Sequence, residues 1–264
     1  MGIMRNRLRW LPLLALLGSL AACDGNELFS EASPHKDTLL QEKEVQNTAQ
    51  STAVFKAETN SLQTIAKETP ESIAPMDVPL INQMDEPKLY NGCEVSSLAM
   101  LLNYHGYDAT KNELAAKVPR VPLTYEDGQK GNPNEGFVGD MENGPGLSVY
   151  HGPVHELAQQ YAGEKAIDLT GEPVELLYHY ISHGLPVWVI NTVNFVPGTD
   201  FQTWDTPAGN IDITFDVHSA VVTGYDENYV YVNNPYGLKN QKVGRENFEA
   251  AWEQLGSQAI VIVE

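Results

Sequence analysis

Four residues in this chain have the types and order needed for thiol chemistry: Gln83, Cys93, His218 and Asn234. Cys93 opens the stretch Cys93-Glu94-Val95-Ser96-Ser97-Leu98-Ala99-Met100-Leu101-Leu102-Asn103-Tyr104, in which Val95, Leu98, Ala99 and Leu102 recur at helical spacing. The preceding Asn91-Gly92 is turn chemistry, so the helix is expected to begin at Cys93. A thiol at a helix start faces unpaired backbone N–H groups and the positive end of the dipole. Both favour thiolate, the nucleophilic form. Position alone divides evenly between this reading and a small buried cysteine filling space.

The base and its partner are expected on a hairpin. Thr214 to Gly224 reads as one strand, Asp226-Glu227-Asn228 as a turn, and Tyr229 to Asn233 as the return strand. That register sets His218 opposite about residue 235, with Asn234 close to it, and Pro235 ends the ladder. Taken singly, a histidine on an apolar strand is more often a core residue, Asn234 is a turn residue, and Gln83 carries no signal. Together they supply a nucleophile, a base, a group that orients the base, and a side-chain amide ten residues before the cysteine to hold an oxyanion. The Cys93 N–H would be the second oxyanion donor; one such donor is worth roughly 3–4 kcal/mol in the transition state.

These groups need a scaffold. The chain has 264 residues and 42% hydrophobic content, enough for one moderate core within a prior of one or two domains. A capping box, Thr110-Lys111-Asn112-Glu113, opens a second helix that ends near Val118-Pro119. Helical patterns follow at about Pro153–Tyr161 and Pro173–His183, then a buried strand Pro186–Ile190. A short strand near Lys242-Val243, a helix Arg245–Gln254 and a strand Ala259–Val263 close the chain. Helices first and antiparallel strands later indicate an α+β fold. Residues 120–148 and 191–212 read as long loops, either lids or binding loops or without fixed order.

The N-terminal part has a different composition. Residues 1–22 carry Arg5, Arg7 and Arg9, then an apolar run from Leu11 to Leu20 too short to span a bilayer stably, which fits an export signal. Leu20-Ala21-Ala22-Cys23 resembles the lipobox of bacterial lipoproteins, which implies a lipid on Cys23. Residues 23–75 are polar and aperiodic and read as a flexible tether. With Cys23 lipidated, Cys93 is the one thiol left in the mature chain. Removing three arginines takes the formal charge from −19 to −22, which disfavours nucleic acid and weakly favours neutral or basic substrates; plain solubility explains it as well.

Several motifs beyond the four residues make a resemblance. They are Ser97-Leu98-Ala99-Met100, Phe137-Val138-Gly139-Asp140, Gly184-Leu185-Pro186-Val187, His218-Ser219-Ala220-Val221-Val222-Thr223-Gly224-Tyr225 and Asn233-Asn234-Pro235-Tyr236. With Gln83 and Asn91-Gly92-Cys93-Glu94, they resemble the papain-like cysteine peptidases of family thirty-nine. That is the family of the double-glycine leader peptidases, here in its stand-alone, exported branch. The resemblance covers most of residues 76–264. It implies a papain-like fold, with a nucleophile helix packed on a C-terminal antiparallel sheet. It implies Gln83 as oxyanion donor, Cys93 as nucleophile and His218 as base. The family commonly has Asp at the third position, where this chain has Asn234, as papain does.

The resulting expectation is a membrane-anchored thiol hydrolase that cleaves a peptide or related amide through a Cys93 acyl-enzyme. It would face the extracytoplasmic side as a monomer, with no cofactor and no metal. The alternatives are a non-catalytic substrate-binding lipoprotein with a papain-like cleft, and a transglutaminase-like acyl transferase. The pairs His151/His155 and His179/His183 lack a third ligand nearby, and Gly152-Pro153 is expected to leave His151 outside its helix. Trp204 either touches substrate or packs under a lid.

Overall fold

The computed structural model describes residues 64–65 and 69–264. The expected signal 1–22, Cys23 and the tether through residue 63 lie outside the described residues. The helices are α1 (Cys93–Tyr104), α2 (Lys111–Lys117), α3 (His151–Ala162), α4 (Val174–Ser182) and α5 (Arg245–Gln254). The strands of the main sheet are β3 (Ala166–Asp168), β4 (Val187–Thr192), β7 (Val217–Tyr225), β8 (Tyr229–Asn234), β9 (Leu238–Gly244) and β10 (Ala259–Ile262). They form one sheet in the order β3-β10-β4-β7-β8-β9, antiparallel throughout.

The sheet has a core on each face, and strand alternation divides the side chains between them. Trp188, Ile190, Ile260 and Ile262 face a core shared with α1, α2 and α3. Val187, Val189, Ala220, Val222, Ala259 and Val261 face a second core with Leu177 and Ile181 of α4 and Phe248 and Trp252 of α5. A strand covered on both faces reads as an unbroken apolar run, which is why Val187-Trp188-Val189-Ile190 shows no polar alternation.

Helix α1 lies between the sheet and the other helices of its face. It packs on β7 and β4 and is covered by α2 and α3. Every residue from Cys93 to Leu102 is buried, where the sequence promised only a stripe. The capping box of α2 forms as expected, with Thr110 Oγ1 accepting from the Glu113 N–H and Glu113 reaching back to the Thr110 N–H. Gly106, at φ +80°, takes the left-handed turn after α1.

The structure departs from the sequence expectation at several places, strand β3 among them. Residues 191–212 are not one long loop: β4 runs on to Thr192, and β5 (Gln202–Thr206) pairs with β6 (Gly209–Ile213) as a hairpin. The stretch 120–148 contains two short paired strands, β1 (Arg120–Val121) and β2 (Phe137–Val138). Helix α3 begins at His151 rather than at about Pro153, so His151 lies inside it, because a proline in the first turn lacks only an N–H that has no helical partner anyway. The sheet also takes up chain before Met76: the Ile73 N–H donates to Tyr225 O at 2.8 Å, and the Tyr225 hydroxyl donates to Pro70 O at 2.7 Å.

Candidate active site

Cys93 opens α1 against the Ser219 N–H of β7, His218 and Asn234 sit at adjoining ends of the neighbouring strands β7 and β8, and Gln83 is hydrogen-bonded to the residue after Asn234. His218 Nε2 lies 3.0 Å from Asn234 Oδ1. The same oxygen accepts the Tyr236 backbone N–H at 3.0 Å, and Asn234 Nδ2 donates to Gln241 Oε1 at 2.8 Å. A backbone N–H can only donate, so it fixes which end of the Asn234 amide is oxygen. That oxygen then requires the proton of a neutral His218 on Nε2. The lone pair is left on Nδ1, the nitrogen that can act as a base.

The imidazole is covered on both sides. The Tyr236 ring stacks on it at 4.8 Å with 10° between planes, and Phe195 meets it edge-on at 6.2 Å. This burial pushes the His218 pKa down to about 4, partly offset by Asn234. The ring is therefore neutral near pH 7. Tyr236 is 46% exposed, so it forms the outer wall between the imidazole and solvent.

Cys93 stands at the first position of α1, as expected, with Gly92 before it. In this position its N–H has no helical acceptor. The thiol is not the depressed one the helix dipole alone would give. Burial pushes it well above the usual cysteine range, and the Glu94 carboxyl beside it raises it further. The Ser219 backbone N–H, one residue past His218, pulls the other way without prevailing. Desolvation of a closed site outweighs a dipole term worth about 0.3–1 kcal/mol. The site is nearly sealed: relative exposure is 7% for Cys93, 1% for Gln83, 1% for His218 and 3% for Asn234.

Gln83 joins the two halves of the site. Its N–H donates to Pro235 O at 2.8 Å, and its Nε2 donates to Leu89 O at 3.2 Å and to Tyr90 O at 2.9 Å. Both side-chain donors are thus engaged in bracing the turn that leads into Cys93. Lys111 holds the same turn from α2: its ammonium donates to the carbonyls of Gln83, Asp85 and Pro87.

The other candidates lie elsewhere or do something else. His151 Nδ1 is 2.6 Å from Asp168 Oδ2, and His155 Nε2 is 2.9 Å from Ala166 O. Each histidine thus has its own partner. His183 Nδ1 is 2.8 Å from His179 O. No group of three or more metal-ligating side chains occurs among the described residues. Trp204 is buried against Ile213 and meets Phe215 edge-on at 5.8 Å, so its part is in packing. Three contributors were not assigned from sequence. Tyr236 was visible only as a motif residue, Gln241 depends on the β8–β9 register, and nothing local says that Glu94 turns inward.

The architecture is α+β and papain-like, with the nucleophile helix against the sheet that carries histidine and asparagine. The chain belongs to the Peptidase_C39 like family, whose model matches residues 75–260. It is 58% identical over 209 residues to the uncharacterized protein YvpB of Bacillus subtilis (strain 168), covering 79% of this chain and 84% of that protein. Among solved structures, a protein from Bacillus anthracis described as a C39-like peptidase superposes with a TM-score of 0.71 at 43% identity. That match covers 74% of this chain and 98% of the other.

Proposed function

We propose that this protein is a thiol hydrolase that cleaves a peptide or related amide through an acyl-enzyme on Cys93. The observation that carries the reading is the His218–Asn234 bond, which leaves Nδ1 as the free base on the strand that α1 packs against. Neutral thiol and neutral imidazole form the resting state, so the proton moves during attack rather than before it. Cys93 Sγ bonds to the carbonyl carbon while its proton passes to His218 Nδ1. The oxyanion is held by the Cys93 N–H and by Gln83 Nε2, which turns one N–H away from its longer bond to Leu89 O. Collapse breaks the C–N bond, and His218 gives its proton to the departing amine. Water, deprotonated by the same nitrogen, then hydrolyses the thioester and restores the thiol.

The test is peptide-library turnover by the full chain together with the pH dependence of Cys93 alkylation by iodoacetamide, read on the Cys93 peptide by mass spectrometry. Cys93→Ala abolishes turnover under this reading, and His218→Ala slows alkylation at neutral pH. Turnover that survives Cys93→Ala overturns it. The near-complete burial of the catalytic groups favours a second reading, a binding lipoprotein that keeps the cleft; Cys93→Ala then leaves peptide binding unchanged. Acyl transfer to an amine uses the same residues, and added amine appearing in the product separates it from hydrolysis.

The N-terminal sequence supports a place for this chemistry. Cys23 carries the lipid, residues 23–75 tether the domain, and the protein works as a monomer on the extracytoplasmic face of the cell membrane, without cofactor or nucleic acid. Mass analysis of the mature N-terminus tests this: a diacylated Cys23 is expected, and an unmodified chain beginning elsewhere overturns it.

A further inference from the structure

Glu94 is a fully buried carboxyl one residue from the nucleophile, and the acyl-transfer steps make no use of it. Its Oε1 accepts the Ser148 hydroxyl and, at 3.4 Å, the Val149 N–H. Its Oε2 is buried with no oxygen or nitrogen partner. Its own carbonyl takes the Trp188 indole N–H at 3.0 Å, which fixes the backbone from which the side chain projects. A carboxylate buried with so few oxygen and nitrogen donors, and the Cys93 thiol as its other neighbour, is costly, whereas a carboxylic acid needs fewer acceptor bonds and can itself donate.

We propose that Glu94 is the positioning residue that sets the protonation state of Cys93, holding the thiol in its neutral form when ionised and releasing it toward thiolate when protonated. The groups facing it are Cys93 on α1, Ser148, the Val149 N–H and Tyr150 ahead of α3, and Tyr236 after β8. Strand β7 brings the Ser219 N–H to the thiol, and His218 is the residue before it on that strand. No lysine or arginine is among the groups acting on Glu94. Burial lifts its pKa to about 7, with the Ser148 hydroxyl as the largest opposing influence. The carboxyl therefore changes charge close to neutrality, beside the thiol whose deprotonation its charge opposes. Acidification then has two opposite effects on the site: it protonates Glu94, which favours the thiolate, and it adds protons that oppose thiolate formation directly.

Two variants of the full chain separate this role from a structural one. Glu94→Gln keeps an acceptor for Ser148 but cannot ionise. Its Cys93 alkylation midpoint should fall by at least about one pH unit, or roughly tenfold faster alkylation at a fixed pH below the midpoint. The infrared carbonyl band of a protonated carboxylic acid, titrating near neutral pH in the natural chain, should vanish. Ser148→Ala removes a donor to the ionised form, so the band should persist to higher pH than in the natural chain. An unmoved alkylation midpoint in Glu94→Gln, or a band that survives there, overturns the proposal. Should Glu94→Gln fail to fold, the natural chain and Ser148→Ala decide: no band titrating near neutrality, or one that Ser148→Ala does not move, overturns it. None of these measurements uses peptide turnover, so they stand whether the domain hydrolyses its ligand or only binds it.

Discussion

Asn234 acts on His218 through one oxygen, and that oxygen fixes the tautomer without adding a charge. A carboxylate in its place would accept the same N–H and also stabilise imidazolium. Asn234→Asp should therefore raise the His218 pKa from about 4 by roughly one to three units. The imidazole proton resonances, followed through a pH titration, measure this; a midpoint left near 4 means the carboxyl is itself neutral there. The proximity of these two residues was legible because hairpin register follows from turn position. The irregularity between Val222 and Gly224 shifts pairing by only one residue, which a side chain can span. The state of the Cys93 thiol was not legible. The helix-start position is local, but solvation is set by everything packed over it, including a Glu94 side chain whose direction no sequence period reveals.

At the scale of elements, α1 and α2 act as a pair. Helix α1 presents Cys93, while Lys111 on α2 holds the turn before it by three carbonyls. Lys111→Met keeps the aliphatic stem and removes those bonds. The loss should destabilise the domain by about 1–3 kcal/mol and raise amide hydrogen exchange over residues 83–90 more than in the sheet. Equal exchange in the turn would show that it stands without α2. The capping box that starts α2 was visible because all its parts lie within four residues. Strand β3 was missed for the opposite reason: Ala166-Ile167-Asp168 has no period of its own and is a strand only because β10 pairs with it. The β5–β6 hairpin left a weak local trace. Trp204 and Thr206 are buried while Thr203 and Asp205 are exposed, an alternation hidden among turn-forming residues.

At the scale of the molecule, Glu94 and His218 oppose each other in their effect on stability. Folding raises Glu94 from 4.5 to about 7 and lowers His218 from 6.5 to about 4. Between about pH 4.5 and 6.5 the folded chain holds a proton on Glu94 that the unfolded chain has lost. It also lacks one on His218 that the unfolded chain binds. The two slopes cancel, so these groups leave the melting temperature flat across that interval. Glu94→Gln leaves only the histidine, and stability should then increase as pH rises from 4 to 6.5. His218→Ala leaves only the carboxyl, and stability should decline as pH rises from 4.5 to 7. Each change amounts to about 3 kcal/mol over its window. Thermal melts of the natural chain and both variants from pH 4 to 7.5 check all three slopes. Parallel curves would mean that the burial of one group depends on the other.

The way the chain enters the sheet has a mechanical consequence. The Tyr225 hydroxyl bond to Pro70, the Ile73–Tyr225 pair and the Met76 N–H bond to Thr223 O all fasten the incoming segment to one end of β7. A Cβ on Gly224 would lie 2.7 Å from Ile73 O and 2.9 Å from Pro75, so only the bare backbone of glycine allows this close seating. The other end of the same strand carries His218. Tension applied upstream of residue 70 therefore loads those bonds first, at the end of β7 away from the imidazole. Under such a load they should yield, as a fuse does, before the pull reaches the histidine.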